Sequence, residues 1–184
     1  MPNIQKSDYQ APFWLINGHF QSIFPSVFRK VKGIQYQRER IQTPDDDFLD
    51  LDWSVINQNN KLVILSHGLE GDASRQYMTG MVKIFNEAGY DCLAWNFRSC
   101  SGEMNLTTRF YHSGATDDLD LVIKHANSKG YDHINLIGFS LGGNLTLKYL
   151  GEQQRNKPIE VKKAVVFSVP MHLRSEERRV GKEC

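Results

Sequence analysis

The stretch Ile134-Asn135-Leu136-Ile137-Gly138-Phe139-Ser140-Leu141-Gly142-Gly143-Asn144 decides how this chain is read. Its first four residues read as a short strand, and Leu141 to Leu150 then read as a helix stopped by Gly151. Between them lies the pattern G-x-S-x-G. A serine at such a junction sits on a sharp, strained turn, because strand and helix approach so closely that only hydrogen fits at Gly138 and Gly142. The Ser140 hydroxyl then stands clear of the sheet. The helix start behind it places partial positive charge, with the Leu141 N–H, where an oxyanion would form. Ser140 is therefore the candidate nucleophile and the Leu141 backbone a candidate oxyanion donor. Without the strand and helix around it the same five-residue string would be a chance match.

Working outward, the spacing predicts repeated strand–helix units. Leu62-Val63-Ile64-Leu65 is a short continuous apolar run of the kind buried on both faces of a sheet. Met78, Met81, Val82 and Phe85 then repeat at helical spacing, closed by Gly89. Asp91 to Trp95 follow as a strand, and Leu119, Val122, Ile123 and Ala126 as a helix behind Thr116-Asp117-Asp118, closed by Gly130. Ala164 to Val169 form a last strand halted by Pro170. Upstream, Ile34 to Gln42 and Phe48 to Ser54 alternate around the turn cluster Thr43-Pro44-Asp45-Asp46-Asp47, an antiparallel hairpin. The fold class is thus α/β: a mostly parallel sheet with helices on both faces and the hairpin at one edge. Tyr9 to Lys30, rich in aromatics and prolines, shows no steady period and reads as an irregular arm. Packing of Trp14, Phe20 and Phe24 against the sheet is preferred to facing lipid or lining an acyl pocket.

With 184 residues the chain sits near one domain, since roughly 150 residues make one. Twenty-two Lys and Arg against 21 Asp and Glu leave a net charge of +1, so no broad field selects a nucleic acid. Apolar content of 40% and charged content of 23% are those of a packed domain. No window approaches the roughly 18 apolar residues of a membrane-spanning helix, and residues 1–8 lack the apolar run of a secretory signal. A cytoplasmic protein is expected. Cys92, Cys100 and Cys184 cannot all pair and lack metal-site spacing, so they read as free thiols, and nothing in the pattern demands a metal or an organic cofactor.

A second candidate element is Ser66-His67-Gly68-Leu69-Glu70-Gly71, at the end of the first parallel strand. A His-Gly pair there suits a loop that supplies another oxyanion donor, the Leu69 N–H. The P-loop lysine and spacing are missing, which excludes a nucleotide cradle. His67 reads as a structural histidine because it precedes Ser140, whereas this arrangement runs serine, acid, histidine along the chain.

Together with Asn17-Gly18-His19-Phe20-Gln21-Ser22, Thr43 to Trp53, Asn96 to Glu103 and Tyr111-His112-Ser113-Gly114, these motifs resemble the YheT-like branch of the α/β-hydrolase superfamily over about residues 11–173. The resemblance implies a serine hydrolase of the carboxylesterase or lipase type, acting on a small-molecule or lipid ester. An acyltransferase to alcohols and a non-catalytic hydrolase-like binding protein are the alternatives. The chain departs from that pattern at Ser99, where the family usually has glycine, and at Ala115, where it usually has an acid. Family members carry the triad acid and histidine further along than the part resembled here.

Downstream of Ser140 this chain offers no Asp, and only Glu152 and Glu160 before residue 174, both read as surface charges. His172 is a poor base candidate, and His112, His125 and His133 read as loop, helix-face and surface residues. Cys100 as a reactive thiol ranks below Ser140. Residues 174–184 are charge-rich directly after a buried-strand pattern and look like a translated sequencing adapter, so Glu176 and Glu177 are set aside. The expected organisation is an arm over 1–30, the first part of a hydrolase domain over 31–173, incomplete at its C-terminus and lacking the triad acid and histidine, and a non-native tail over 174–184. Oligomeric state is not legible.

Overall fold

The computed structural model describes residue 8 and residues 10–56, 60–153 and 161–171. The chain divides into two compact units, residues 1–32 and 33–184.

The first unit contains a helix, α1 (Gly18–Phe28), where the sequence suggested irregular chain. The correction has a physical source. Asn17 caps the helix, its side-chain oxygen accepting from the Phe20 N–H at 3.1 Å, and Phe20, Ile23, Phe24, Val27 and Phe28 do keep helical spacing. Pro25 masked that period, yet the helix carries it in its interior. Trp14 packs edge-on to Phe24 at 4.6 Å, and Phe24 against Phe28 at 5.1 Å.

The second unit is a six-stranded sheet with three helices among the described residues: β1 (Gln37–Gln42), β2 (Phe48–Ser54), β3 (Lys61–Ser66), α2 (Gln76–Glu87), β4 (Asp91–Trp95), α3 (Thr116–Ser128), β5 (His133–Phe139), α4 (Leu141–Glu152) and β6 (Val161–Phe167). The strand order is β1-β2-β4-β3-β5-β6. The β1–β2 hairpin is antiparallel and joins β4 antiparallel, whereas β4, β3, β5 and β6 run parallel. Alternation in β3 divides the core into two layers. Leu62 and Ile64 pack with α3 and α4 through Leu119, Val122, Ile123, Leu145 and Tyr149; Val63 and Leu65 pack with α2 through Met78 and Val82. Each such fully buried aliphatic side chain is worth about 1.5–3 kcal/mol. Helix α4 runs one residue past Gly151, and β6 spans 161–167 in place of the anticipated 164–169.

Arg98, 1% exposed, ties the hairpin turn, the β4 exit and α3 together. Its guanidinium donates to both Asp118 oxygens at 2.9 Å and reaches Asp45 at 2.9 Å and Asp47 at 3.1 Å. Burial pushes the Asp47 carboxyl up, but donors from Leu106, Thr107, Asn105 and Phe48 outweigh it and hold that group well below the usual range. The acidic turn of the hairpin is therefore an anchor for the loop after β4, and that loop in turn touches the candidate site. No helix among the described residues is long and apolar enough to cross a membrane.

Candidate active site

Ser140 is the residue between β5 and α4, with φ 50° and ψ −113°. A positive φ at a non-glycine residue costs on the order of 1–3 kcal/mol and persists only where the surroundings enforce it. Two hydrogen bonds and a close crossing at two glycines enforce it here. The Ser140 N–H donates to the Phe167 carbonyl of β6 at 2.8 Å, and its carbonyl accepts from the Asn144 N–H at 3.0 Å. A Cβ at position 138 would lie 2.5 Å from the Gly142 carbonyl oxygen and from Gly143 Cα, and one at 142 would run into the Ser66 and His67 carbonyls. The two glycines thus permit the close crossing of β5, α4 and the end of β3.

Ser140, Leu69 and Leu141 line one cavity of about 440 Å³, so the three residues singled out from sequence are brought together. Ser113, Asn144, Ser168, Val169 and Pro170 complete its wall. Of these, Asn144 was visible only as part of a motif. Its side-chain amide donates to the Pro170 carbonyl at 3.0 Å and so fastens the segment after β6 beside the cavity. A larger hollow of about 560 Å³ on the hairpin side includes Glu39, Trp53 and Lys129. Its charged groups are occupied: Arg38 pairs with Asp52 at 2.8 Å, and Glu39 accepts from Trp53 Nε1 at 2.8 Å and meets Lys129 at 3.0 Å and His125 at 3.1 Å.

The loop after β3 is held from several sides. His67 is fully buried, with the Phe97 N–H donating to Nε2 at 3.0 Å. That bond assigns the proton to Nδ1, which lies 2.7 Å from the Gly68 carbonyl and donates to it. Burial lowers the His67 pKa to about 4, so the ring is neutral near pH 7, and both nitrogens are occupied. These bonds leave it no part as a proton acceptor for Ser140. The Gly71 N–H also donates to the Gly68 carbonyl, at 3.1 Å. With that carbonyl gripped from one side, the trans peptide directs the Leu69 N–H the opposite way.

The remaining candidates lie elsewhere. Glu152 ends α4 on the surface, accepting from Thr116 Oγ1 at 2.7 Å and pairing with Lys148. His112 accepts the Gly114 N–H at 3.0 Å through Nδ1, and His133 opens β5. Cys100 is half-buried and its thiol is pushed up by burial, the opposite of an activated thiolate. Glu160, His172, Glu176 and Glu177 lie outside the described residues, as does the whole segment 174–184.

Comparison with known proteins agrees with this architecture. A family model described as the alpha/beta hydrolase fold matches residues 61–182. The chain is 33% identical over 161 residues to the putative esterase YheT of Escherichia coli, covering 85% of this chain and 47% of that protein. It is 32% identical over 172 residues to the human phospholipase ABHD3, covering 88% and 41%. The chain spans about half the length of the curated relatives it matches. Among solved structures, the Pyrococcus furiosus esterase Pf2001 superposes with a TM-score of 0.64 at 26% identity, covering 82% of this chain and 56% of that one. The Xanthomonas campestris protein XC6422, an α/β serine hydrolase without a lid, gives 0.62 at 19% identity, covering 79% and 66%, a likeness of fold. With its sheet order, its β5–α4 junction and this family match in agreement, the chain belongs to the alpha/beta hydrolase fold family and is of the YheT-like kind.

Proposed function

We propose that Ser140 is the nucleophile of a carboxylic ester hydrolase, attacking the acyl carbon while the Leu69 and Leu141 backbone N–H groups hold the oxyanion. One observation carries the reading: Ser140, on a positive-φ junction at a helix start, opens into the same cavity as Leu69 and Leu141. A helix N-terminus and a loop amide converging beside a hydroxyl stabilise negative charge on a tetrahedral intermediate, and removing one such donor typically costs about 10²–10³ in kcat. Leu69, Leu141, Val169 and Pro170 give the cavity apolar walls suited to an acyl chain. The names of the relatives, an esterase and a phospholipase, point to the same bond type.

A serine of this kind needs a general base. His67 is committed elsewhere, no Asp follows Ser140, and His172 is the one histidine after it. The proposal therefore places the triad histidine and acid outside these 184 residues, in the protein translated from the uninterrupted reading frame, hereafter the full-frame protein. In the shorter chain only oxyanion stabilisation and binding would act, a residual of roughly 10³–10⁴ over water in favourable cases. Labelling with a fluorophosphonate tests this. The full-frame protein is expected to label at one site and its Ser140→Ala variant not at all, with the 184-residue chain at background. Equal labelling of full-frame wild type and Ser140→Ala would remove Ser140 from the role.

A further inference from the structure

Loop 68–71 contains four backbone N–H groups, and three of them are claimed. The Gly68 N–H donates to the Tyr77 hydroxyl oxygen at 3.1 Å, the Glu70 N–H to the Tyr111 hydroxyl oxygen at 3.0 Å, and the Gly71 N–H to the Gly68 carbonyl at 3.1 Å. Among the described residues the Leu69 N–H alone in this loop has no acceptor. The two tyrosines come from different places: Tyr77 from the first turn of α2, and Tyr111 from the segment before α3, 41 residues along the chain from Glu70. Between them the backbone is under strain. Glu70 has φ 53°, and its carbonyl is fixed by Arg75 at 3.0 Å while its N–H is fixed by Tyr111. The fit is tight on the other side too, since a Cβ at Gly71 would lie 2.7 Å from the Tyr77 oxygen.

We propose that Tyr77 and Tyr111 are positioning residues of the ester-hydrolysing site: their hydroxyls claim the N–H groups on either side of Leu69 and hold loop 68–71 so that the Leu69 N–H is the donor it presents to the cavity. The inference rests on the function proposed above and deepens it. Its physical content is preorganisation. A loop donor aids the transition state only if it already points at the developing charge, and a strained φ at Glu70 relaxes unless something opposes it. Burial pushes both phenols up, so both hydroxyls stay protonated near neutral pH and accept from the backbone as neutral groups. Phenylalanine at either position keeps the ring in place and removes the hydroxyl, which at Tyr77 takes away the acceptor for Gly68 and at Tyr111 the acceptor for Glu70 together with a bond to Cys100.

The test uses Tyr77→Phe, Tyr111→Phe and the double variant of the full-frame protein, with Ser140→Ala beside them. Hydrolysis of p-nitrophenyl butyrate gives kcat and KM, and an alkyl boronic acid, which forms a tetrahedral adduct on an active serine, reports oxyanion binding. Each single variant should lose roughly five- to tenfold in kcat, the scale of one hydrogen bond, with KM within about twofold and the boronic acid weakened by the same factor as kcat. The double variant should approach the roughly 10²-fold cost of a lost oxyanion donor. Amide exchange should quicken at Gly68 in Tyr77→Phe and at Glu70 in Tyr111→Phe, a readout that needs no turnover. A purely structural role would lower the melting temperature and leave kcat per folded molecule and boronic acid affinity unchanged, and that result overturns the proposal. So does unaltered exchange at both amides. Should Ser140→Ala turn over like wild type, the hydrolase reading itself fails; if Ser140→Ala is dead and both tyrosine variants are normal, only the positioning role fails.

Discussion

His67 shows how a single residue sets both stability and site geometry. Its ring is buried, bonded at Nε2 by Phe97 and at Nδ1 to Gly68, and burial lowers its pKa from 6.5 to about 4. The depressed value means that the unfolded chain takes up a proton where the native state does not. Stability from this group is complete above pH 6.5, falls as the pH drops from 6.5 toward 4, and has lost on the order of 3 kcal/mol at the bottom of that window. The carboxylates act lower. Asp45, Asp47 and Asp50 are held below their usual 3.8, so their contribution is present above that pH and is lost only as acid protonates them further down. Urea midpoints of the full-frame protein should therefore fall as the pH drops from 6.5 to 5.5, and that fall should be much smaller in His67→Gln, before Glu39 and Glu103, held below their usual 4.5, add their own loss nearer pH 4. A flat wild-type profile over that range would contradict the assignment. Ser99 illustrates another residue-scale constraint. It holds φ 61°, a conformation that glycine adopts freely, and here Asn105 compensates by bonding both the Ser99 N–H and its hydroxyl. Ser99 thus occupies a glycine-like backbone with its own local support.

At the scale of elements, the β5–α4 pair separates a glycine required by close approach from one governed by helix propensity alone. A Cβ at position 138, in β5, would meet backbone at 2.5 Å, whereas nothing lies within 4 Å of a Cβ at Gly151 in α4. Gly138→Ala should destabilise the full-frame protein by about 1–3 kcal/mol through overpacking, while Gly151→Ala should be neutral or stabilise by up to about 1 kcal/mol, the propensity gain of alanine. Urea unfolding of the two variants side by side decides it, and equal midpoints would show that the crossing has slack. The same junction explains what was legible in the sequence. Gly138, Ser140 and Gly142 are local punctuation: strand, turn and helix follow within a dozen residues, so pattern alone placed the serine. The hairpin was equally open to reading, because Phe48 to Ser54 alternates and Pro44 to Asp47 is turn chemistry. What stayed hidden was long-range or masked. No periodicity tells which hydroxyl meets which amide, so the Tyr77 and Tyr111 bonds to Gly68 and Glu70 had no signal beyond a buried aromatic and a motif. In α1, Pro25 read as a breaker and outweighed the Asn17 cap and the spacing of Phe20, Phe24 and Phe28. Strand β6 begins earlier than its apolar run because Lys162 and Lys163 sit on an exposed strand, where charge is tolerated.

For the molecule as a whole, the two margins of the sheet differ. At one edge the charged strand β1 covers β2: Arg38 pairs with Asp52 and Arg40 with Asp50, each at 2.7–2.8 Å, side chains that discourage further pairing. At the other edge, among the described residues, β6 pairs with β5 alone, and Val165 and Phe167 are 51% and 39% exposed. A parallel strand of this class is ordinarily covered on both faces, since its exposed apolar side chains otherwise template association. The 184-residue chain by itself should therefore self-associate through β6. Sedimentation across a concentration series should show mass growing with concentration, and Val165→Lys, which places a charge on that face, should reduce it markedly. Arg38→Leu at the opposite margin serves as the contrast, leaving β6 as it is. A 184-residue chain that stays monomeric at high concentration and unfolds in one cooperative transition would show that β6 is tolerated bare, and the aggregation argument would fall with it.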